Sequence, residues 1–439
     1  MSPSTERQLD EALLLQQLRD HTFAPSAGAP QVGLEVEELA FRGVQAVPLA
    51  NVLAAVEPLV SLKELAESTT PGGLPCFEYG QIHLTFEPGG QLEIVSPPRL
   101  SAAEALTDIS KLEQLLDRVF VWHGIRRANH GMNPWQSTAE IALETPLPRY
   151  EAMQQYFGRI GPDGLRMMRL SCALQINLDS GTMGEVPRRW LLANLMSPIL
   201  IGVFANSPIA EGHITGWKSE RARVVHHMDP SRVGPLAGAD PPAEYLQFAL
   251  DAGVLLIRTP LGTVPGRAGW TFRHWMREGS AWGYPTLDDW RYHLTTLFPQ
   301  VRPRGFLEMR AIDAPPIRWR AVPVAVATAL LLDESARETA LALLEPLAGE
   351  LEALTLRAAH DGPADPLVGL LARRLMELAI ESLPRLPVGW LSTAIESDLQ
   401  AFHDIYTARG RCPADELLDL QIDRTPTEEH APLGTAEGQ

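Results

Sequence analysis

In the segment FEPGGQLEIVSPP, two glutamates, Glu87 and Glu93, flank a Pro-Gly-Gly sequence that is typical of a tight turn. If Pro-Gly-Gly is a three-residue hairpin loop, Glu87 faces Gln91 and Thr85 faces Glu93 across the two strands. Because side chains alternate between the faces of a strand, both glutamates then emerge on one side, at diagonal positions roughly 7–8 Å apart. This arrangement is a candidate for half of a divalent-cation site, and the alternative is a solvated hairpin edge.

Three other segments predict strands with one apolar face and one face rich in carboxylates or amides. On the polar faces lie Glu35 and Glu37 of VGLEVEELAF, Gln175 and Asn177 of LSCALQINLD, and Glu308 and Arg310 of GFLEMRAID. A sheet with one face in water explains each strand alone. Five glutamates brought together would instead raise one another's pKa, and divalent cations such as Mg²⁺ would remove that conflict. Glu38 points to the apolar side, which predicts a strand end or a bend.

Phosphate groups would have to be held by side chains and metal ions, because the sequence has no G-x-x-x-x-G-K-[ST] loop. Arginines are concentrated in two segments, GWKSERARVVHHMDPSRVG and HLTTLFPQVRPRGFLEMRAID. The positive side chains there that could meet carboxylate or phosphate are Lys218, Arg221, Arg223 and Arg232 in the first segment and His293, Arg302, Arg304 and Arg310 in the second. A basic loop is commonly only solvated, but these arginines flank a glutamate-bearing strand in an acidic chain.

The elements that carry these residues indicate an α+β fold with a mainly antiparallel sheet. Helices are predicted at the amphipathic N-terminus, at residues 51–67, in a long segment that starts at Ser101, around Tyr150–Phe157 and from Pro187 to Ala205. A loop-rich stretch is expected from there to about Asp289. A doubly wound parallel sheet would need a shorter and more regular alternation.

Four regions follow from this pattern. Residues 1–30 form an N-terminal helix and linker, and residues 31–334 form the catalytic core with the polar strands. Residues 335–420 are predicted to be a helical layer because the segment is rich in alanine and leucine. Residues 421–439 form a polar tail.

Composition limits the partners. The chain has 439 residues and a formal net charge of −17, with a pI of about 5.2. So acidic a surface repels phosphate backbones, which argues against nucleic acid as a partner.

The cysteines and the apolar segments indicate the cellular compartment of the protein. The three cysteines, Cys76, Cys172 and Cys412, show no metal-type spacing, which favours a reducing compartment. Cys172 falls on the apolar side of its strand, and the other two are expected in loops. The N-terminus lacks the features of a secretory signal, and WLLANLMSPILIGVFA is too short to span a bilayer. We therefore expect a cytoplasmic protein with no membrane partner.

Seven blocks give the chain a family resemblance. They are VGLEVE, FEPGGQLEIVSPP, MMRLSCALQINLD, FANSP, GWKSERARVVHHMDPSRVG, YHLTTLFPQVRPRGFLEMRAID and ARGRCPAD. In this order they resemble the glutamate–cysteine ligases of the plant and bacterial type, most of all the actinobacterial branch that supplies γ-glutamylcysteine to ergothioneine biosynthesis. The resemblance implies a glutamine-synthetase-like fold, in which an antiparallel sheet covered by helices forms a funnel for ATP, two or three Mg²⁺ ions and L-glutamate.

The resemblance also implies roles for individual residues. By motif position, the metal ligands are Glu35, Glu37, Glu87, Glu93 and Glu308. Arg221 and Arg310 are the catalytic candidates, and the candidates for binding ATP or substrate are Gln175, Asn177, Trp217, Ser219, Arg232 and Arg302. The implied reaction is ATP-dependent ligation of the γ-carboxylate of L-glutamate to the amine of L-cysteine, through γ-glutamyl phosphate.

Three other functions stay open on sequence alone. A related ligase could use a different amine acceptor, and a guanidino phosphotransferase shares the fold class and would release ADP without glutamate. A non-catalytic binding protein on the same fold would be expected to lose the carboxylates, whereas all five are present.

Overall fold

The computed structural model describes residues 9–70 and 72–420, so the beginning of the predicted N-terminal helix and the predicted polar tail lie outside the described residues. The strands are β1 (Val32–Arg42), β2 (Gln45–Ala46), β3 (Ala66–Thr69), β4 (Pro75–Tyr79), β5 (Ile82–Phe86), β6 (Leu92–Val95), β7 (Arg126–Ala128), β8 (Ala173–Asp179), β9 (Ile209–Ala210), β10 (His213–Ile214), β11 (Leu256–Thr259), β12 (Gly262–Pro265), β13 (Val301–Pro303) and β14 (Phe306–Asp313).

The helices are α1 (Glu11–Gln17), α2 (Leu49–Ser61), α3 (Ala102–Phe120), α4 (Pro148–Gly158), α5 (Asp163–Leu170), α6 (Val186–Val203), α7 (Glu220–Met228), α8 (Pro241–Asp251), α9 (Phe272–Glu278), α10 (Leu287–Leu294), α11 (Ala321–Leu332), α12 (Glu334–Leu344), α13 (Leu351–Asp361), α14 (Pro366–Ser382), α15 (Thr393–Ile405) and α16 (Pro413–Asp419). Short 3-10 turns connect several of them, and a π-helical turn, Leu18–Thr22, continues α1.

Ten strands form one sheet, in the order β13-β14-β8-β1-β6-β5-β4-β3, with β2 and β7 paired to β1. All of these pairs are antiparallel. The prediction of an α+β fold with a mainly antiparallel sheet is therefore confirmed. Strands that are distant in sequence become neighbours, because β8 pairs with β1 and β14 pairs with β8.

Alternation assigns one face of this sheet to the core. Leu34 and Val36 of β1, Leu174 of β8, and Leu84 and Ile94 of the hairpin are fully buried. Helix α3 packs on β1, β5 and β6 on this side, and α6 packs on β14. The opposite face carries the predicted carboxylates and amides, which leaves them free to form a site.

The local predictions were right for the long, strongly patterned elements. Ser101 caps α3 through a hydrogen bond from the backbone N–H of Glu104 to its side chain, and α6 is buried along most of its length. The predicted helix over 51–67 was too long, since α2 ends at Ser61 and Ala66 already begins β3. The stretch that was expected to be loop before Asp289 contains α7, α8 and α9, because such short helices depend on tertiary packing more than on sequence periodicity.

The described chain after α11 is mainly helical. Helices α12, α13 and α14 pack on α6, while α14 and α15 pack on α11. Within the described residues, none of the helices combines the length and the apolar character needed to cross a membrane.

Glu38 lies in the middle of β1, not at a strand end or bend as predicted. Its side chain is fully buried and forms ion pairs with Arg127 of β7 and Arg320, at 2.7 Å for Arg320. Glu113 of α3 bonds the same two arginines, and Asn129 donates to Glu38 at 2.9 Å. Burial alone would raise the pKa of Glu38, but the two arginines outweigh it and lower the pKa to about 2. This charge cluster joins the sheet to α3 and to the start of α11.

We expect Glu38→Gln to destabilise the fold by about 3–5 kcal/mol, because it leaves Glu113 as the one buried carboxylate that faces the two buried guanidinium groups. Urea unfolding at neutral pH measures the change. Glu64→Gln is the matched control, since its partner Arg118 is solvent-exposed and the pair should contribute little. Equal unfolding midpoints for the two variants would contradict the role assigned to Glu38.

Candidate active site

A cavity of about 650 Å³ opens over the polar face of the sheet. This volume is in the range of small-molecule sites. Eight of the predicted site residues line it: Glu35, Glu37, Glu87, Glu93, Gln175, Arg221, Arg302 and Arg310. The antiparallel pairing and the packing of α7 therefore bring residues from five sequence segments to one place.

The centre of the site is a cluster of three carboxylates. Glu37 and Glu93 are directly opposite each other across β1 and β6, and Glu87 stands at the end of β5. One carboxylate oxygen from each of the three lies within 4.8 Å of the others. The hairpin has the predicted register, with Thr85 opposite Glu93 and the Glu87 N–H donating to the Gln91 carbonyl at 2.9 Å.

Pro-Gly-Gly is required by the space around the turn. A Cβ atom on Gly89 would lie 2.2 Å from the carbonyl oxygen of Arg169, which is closer than any real contact. Gly90 has φ of +82°, in the left-handed region that favours glycine. Gln91 secures the turn, because its amide donates to the Ser171 carbonyl at 3.0 Å. The turn is thus packed against the end of α5 and cannot shift the glutamates independently.

Burial and like charge together determine the electrostatics of this cluster. Burial raises the pKa of Glu87 to about 8, and the neighbouring Glu37 adds to the shift. Burial, followed by Glu87 and Glu35, holds the pKa of Glu93 well above its usual range. The pKa of Glu37 is also raised by burial, although Arg221 and Arg310 oppose the shift. The protein therefore holds carboxylates together at a cost that a bound cation would offset.

Amides from β8 orient the acidic residues. The Gln175 amide donates to Glu37 at 2.8 Å, and the Asn177 amide donates to Glu35 at 2.9 Å. The backbone N–H of Ala173 donates to the second oxygen of Glu37 at 2.8 Å. The oxygen of the Asn177 side chain is buried without a hydrogen-bond partner among the described residues. Asn177 does not line the cavity, so its contribution is to fix Glu35.

Glu308 lies in a different environment from the other four predicted metal ligands. It is fully buried, and it pairs with Arg302, with Arg304 at 3.1 Å and with Arg310 at 3.4 Å. Burial would raise its pKa, but Arg310 and Arg302 lower it to about 2. Its oxygens are committed to these arginines, and it orients them toward the cavity.

Besides Asn177 and Glu308, three predicted site residues do not line the cavity. Arg232 is fully buried and donates to Asp229, to Tyr156 and to backbone carbonyls, so its guanidinium holds the fold together. Trp217 packs edge-on against the ring of His360 at 5.0 Å. Ser219 caps α7 and donates to Asp313 at 2.9 Å. Their sequence block touches the site through Arg221, whose guanidinium donates to the Arg310 carbonyl at 3.0 Å.

The sequence patterns did not predict that Arg149, Tyr150 and Tyr292 would line the cavity. Arg149 and Tyr150 begin α4, and Tyr292 lies in α10. The Arg149 guanidinium stacks over the ring of Tyr292 at 5.0 Å and donates to the Thr295 hydroxyl at 3.1 Å. Tyr292 is the first residue of the family block YHLTTLFPQVRPRGFLEMRAID, so the sequence did contain a signal for it. The only sequence signal for Arg149 was its place beside a predicted helix start.

The donor set fits a hard divalent cation. Glu37, Glu87 and Glu93 offer carboxylate oxygens alone, and Mg²⁺ prefers oxygen ligands of this type. The raised pKa values show that the nearby arginines only partly offset the burial of these carboxylates. The arginines that line the same cavity carry positive charge and could bind the negatively charged groups of a substrate.

A large antiparallel sheet with a cavity over its polar face is the glutamine-synthetase-like fold. The fold resembles a crystal structure of a glutamate–cysteine ligase from Francisella tularensis in complex with AMP. The TM-score is 0.52 at 13% sequence identity, over 90% of this chain and 85% of that chain.

The chain belongs to glutamate–cysteine ligase family 2 (GCS2), whose family model matches residues 31–434. It is 33% identical to the glutamate–cysteine ligase EgtA of Mycolicibacterium smegmatis over 407 residues, which are 90% of this chain and 88% of that protein. The EgtA of Mycobacterium tuberculosis is also 33% identical, over 77% of each chain. A chloroplastic glutamate–cysteine ligase of Nicotiana tabacum is 28% identical over 89% of this chain and 76% of its own length. The resemblance to this enzyme family is confirmed.

We expect Glu87→Gln to stabilise the metal-free protein at alkaline pH. Glu87 has a pKa of about 8 in the fold against 4.5 as the ordinary value, so the folded state binds the extra proton between these limits. Its charge therefore destabilises the fold increasingly as pH rises from 4.5 to 8, and glutamine removes that cost. Urea unfolding with a chelator present, at pH 6 and pH 9, measures the effect.

Glu67→Gln is the control, because Glu67 is an exposed glutamate on β3 of the same sheet. Its unfolding free energy should stay within about 0.5 kcal/mol of the wild type. A Glu87→Gln protein with the same dependence on pH as the wild type would show that the pKa of Glu87 is not raised in the fold.

Proposed function

We propose that this enzyme joins the γ-carboxylate of L-glutamate to the amine of L-cysteine, with ATP as the second substrate. The products are γ-glutamylcysteine, ADP and phosphate. The observation that carries the proposal is the convergence of Glu37, Glu87 and Glu93 within 4.8 Å, in a cavity that Arg221 and Arg310 also line. The names of the EgtA relatives and of the plant relatives favour cysteine as the acceptor.

In the first step, an oxygen of the glutamate γ-carboxylate attacks the γ-phosphorus of ATP and ADP leaves, giving γ-glutamyl phosphate. In the second step, the cysteine amine attacks the acyl carbon, phosphate leaves, and the nitrogen loses a proton as the amide forms. Both reactants of the first step are anions, so the site must offset their charge and hold them in line.

Glu37, Glu87 and Glu93 are proposed to hold Mg²⁺, with Glu35 as a further ligand and two or three ions in all. When bound, Mg²⁺ would neutralise phosphate oxygens and draw off negative charge that develops during transfer. Glu308 is proposed to act mainly by aiming Arg302 and Arg310, since its oxygens bond to both.

Arg310 and Arg221 are proposed to bind the transferring phosphoryl group or the glutamate carboxylate. Arg310 is fixed between Gln175 and Glu308, and Arg221 is held by the Arg310 carbonyl and lies 3.8 Å from Asp313. Such fixed guanidinium groups require little rearrangement when charge develops. Arg149, at the wall formed with Tyr292, is a further candidate for holding an anionic group.

An ADP-release assay on the full chain with ATP and Mg²⁺ tests the proposal. We expect release that needs L-glutamate, increases with L-cysteine, and yields a product with the mass of γ-glutamylcysteine. Release that needs glutamate but responds to another amine would replace the acceptor. Release without glutamate, with a phosphorylated guanidino product, would overturn the ligase assignment.

We expect Glu87→Gln to lower ligase turnover by at least about a hundredfold while the fold is kept, because it removes a charged cation ligand. Steady-state kinetics with varied Mg²⁺ measure turnover, and circular dichroism checks the fold. Glu67→Gln should retain wild-type turnover as the matched control. A folded Glu87→Gln enzyme with full activity would refute the assignment of this carboxylate.

A further inference from the structure

A second group of metal-ligating side chains lies on the same polar face of the sheet, outside the cavity. It consists of Cys76 and Glu78 on β4 and His83 on β5, and one ligand atom from each lies within 4.8 Å of the others. Glu78 and His83 are directly opposite each other in the β4–β5 ladder, and Cys76 is diagonal to His83. Cys76 is on a strand, although the sequence predicted a loop.

The distances suit a tetrahedral metal ion. Zn–S bonds of about 2.3 Å and Zn–N bonds of about 2.1 Å at a tetrahedral angle separate sulfur and nitrogen by about 3.6 Å. The Cys76 Sγ to His83 Nδ1 distance is 3.7 Å. The same distance permits a thiol–imidazole hydrogen bond in the metal-free protein, and metal binding would replace that proton.

The neighbours of the cluster support a ligand role. The Ser68 hydroxyl on β3 donates to one oxygen of Glu78 at 2.9 Å, which fixes the carboxylate and leaves its second oxygen for a ligand bond. Glu78 and His83 are half-buried, whereas Cys76 is 6% exposed, so an ion can enter from one side. Supporting hydrogen bonds of this kind orient metal ligands in known sites.

We propose that Cys76, Glu78 and His83 form a binding site for Zn²⁺ or a similar thiophilic divalent cation, separate from the carboxylate cluster. Thiolate and imidazole select such ions over Mg²⁺, whereas the oxygen-only set of Glu37, Glu87 and Glu93 does the opposite. Three protein ligands leave a fourth position for water or an external ligand.

The two sites are linked through one residue. Thr85 is two positions from His83 on the same face of β5, and its hydroxyl donates to Glu93 at 2.6 Å. A metal ion on His83 therefore adjoins the strand that supports the carboxylate cluster. The sites differ in ligand chemistry, so they can be loaded separately.

Cobalt titration of the full chain tests the proposal, with Co²⁺ as the probe and saturating Mg²⁺ present. A Co²⁺ ion bound by thiolate has a sulfur-to-metal charge-transfer band that a carboxylate site cannot produce. We expect one equivalent of this band per chain, removed by added Zn²⁺. The band should be absent in Cys76→Ser, and His83→Gln should weaken Co²⁺ binding at least about tenfold.

His213→Gln is the matched control, because His213 is exposed on the distant β9–β10 hairpin and should leave the titration unchanged. Circular dichroism confirms that each variant is folded, and His83→Gln keeps the test decisive if Cys76→Ser unfolds. A folded wild-type protein without the band, or a band that persists in Cys76→Ser, would overturn the site. The result is independent of the ligase assay.

Discussion

Repulsion among Glu37, Glu87 and Glu93 is the constraint on which the rest of the structure depends. Their oxygens lie close enough to share one cation, and burial together with repulsion from the neighbouring glutamates raises the pKa of Glu87 and Glu93. No single contact could hold them there. The antiparallel ladders on both sides of β1 fix their positions, and a turn that is packed against α5 fixes Glu87.

Other buried carboxylates of the protein are paired with arginines. Glu38, one residue beyond Glu37 and on the other face of β1, is neutralised by Arg127 and Arg320, and its pKa falls. Glu308 is neutralised by three arginines in the same way. Fully paired carboxylates of this kind stabilise or orient, whereas the cluster at the cavity keeps unmatched oxygen donors. This contrast distinguishes the carboxylate cluster at the cavity from the paired carboxylates elsewhere in the fold.

The polar face of the sheet carries different types of ligand side chain along its width. Carboxylates at β1, β5 and β6 suit hard cations and phosphates, and arginines at β13 and β14 suit anions. At the β4–β5 end, a thiol and an imidazole replace them. One sheet can therefore carry chemically distinct sites, because neighbouring strands lie only about 4.8 Å apart and each contributes its own side chains to the shared face.

The sequence alone determined which residues share a face, because alternation along a strand is local geometry that needs no knowledge of the neighbours. It thereby identified Glu37, Glu87, Glu93 and the hairpin register. Tertiary structure decided which strands are neighbours and which other segments contribute to the cavity. Arg232 lies in a buried hydrogen-bond network, Arg149 lines the cavity, and Cys76 contacts His83 across the β4–β5 ladder. Such contacts depend on which segments pack together and on how far their side chains extend toward one another. The spacing of residues along the sequence contains neither kind of information.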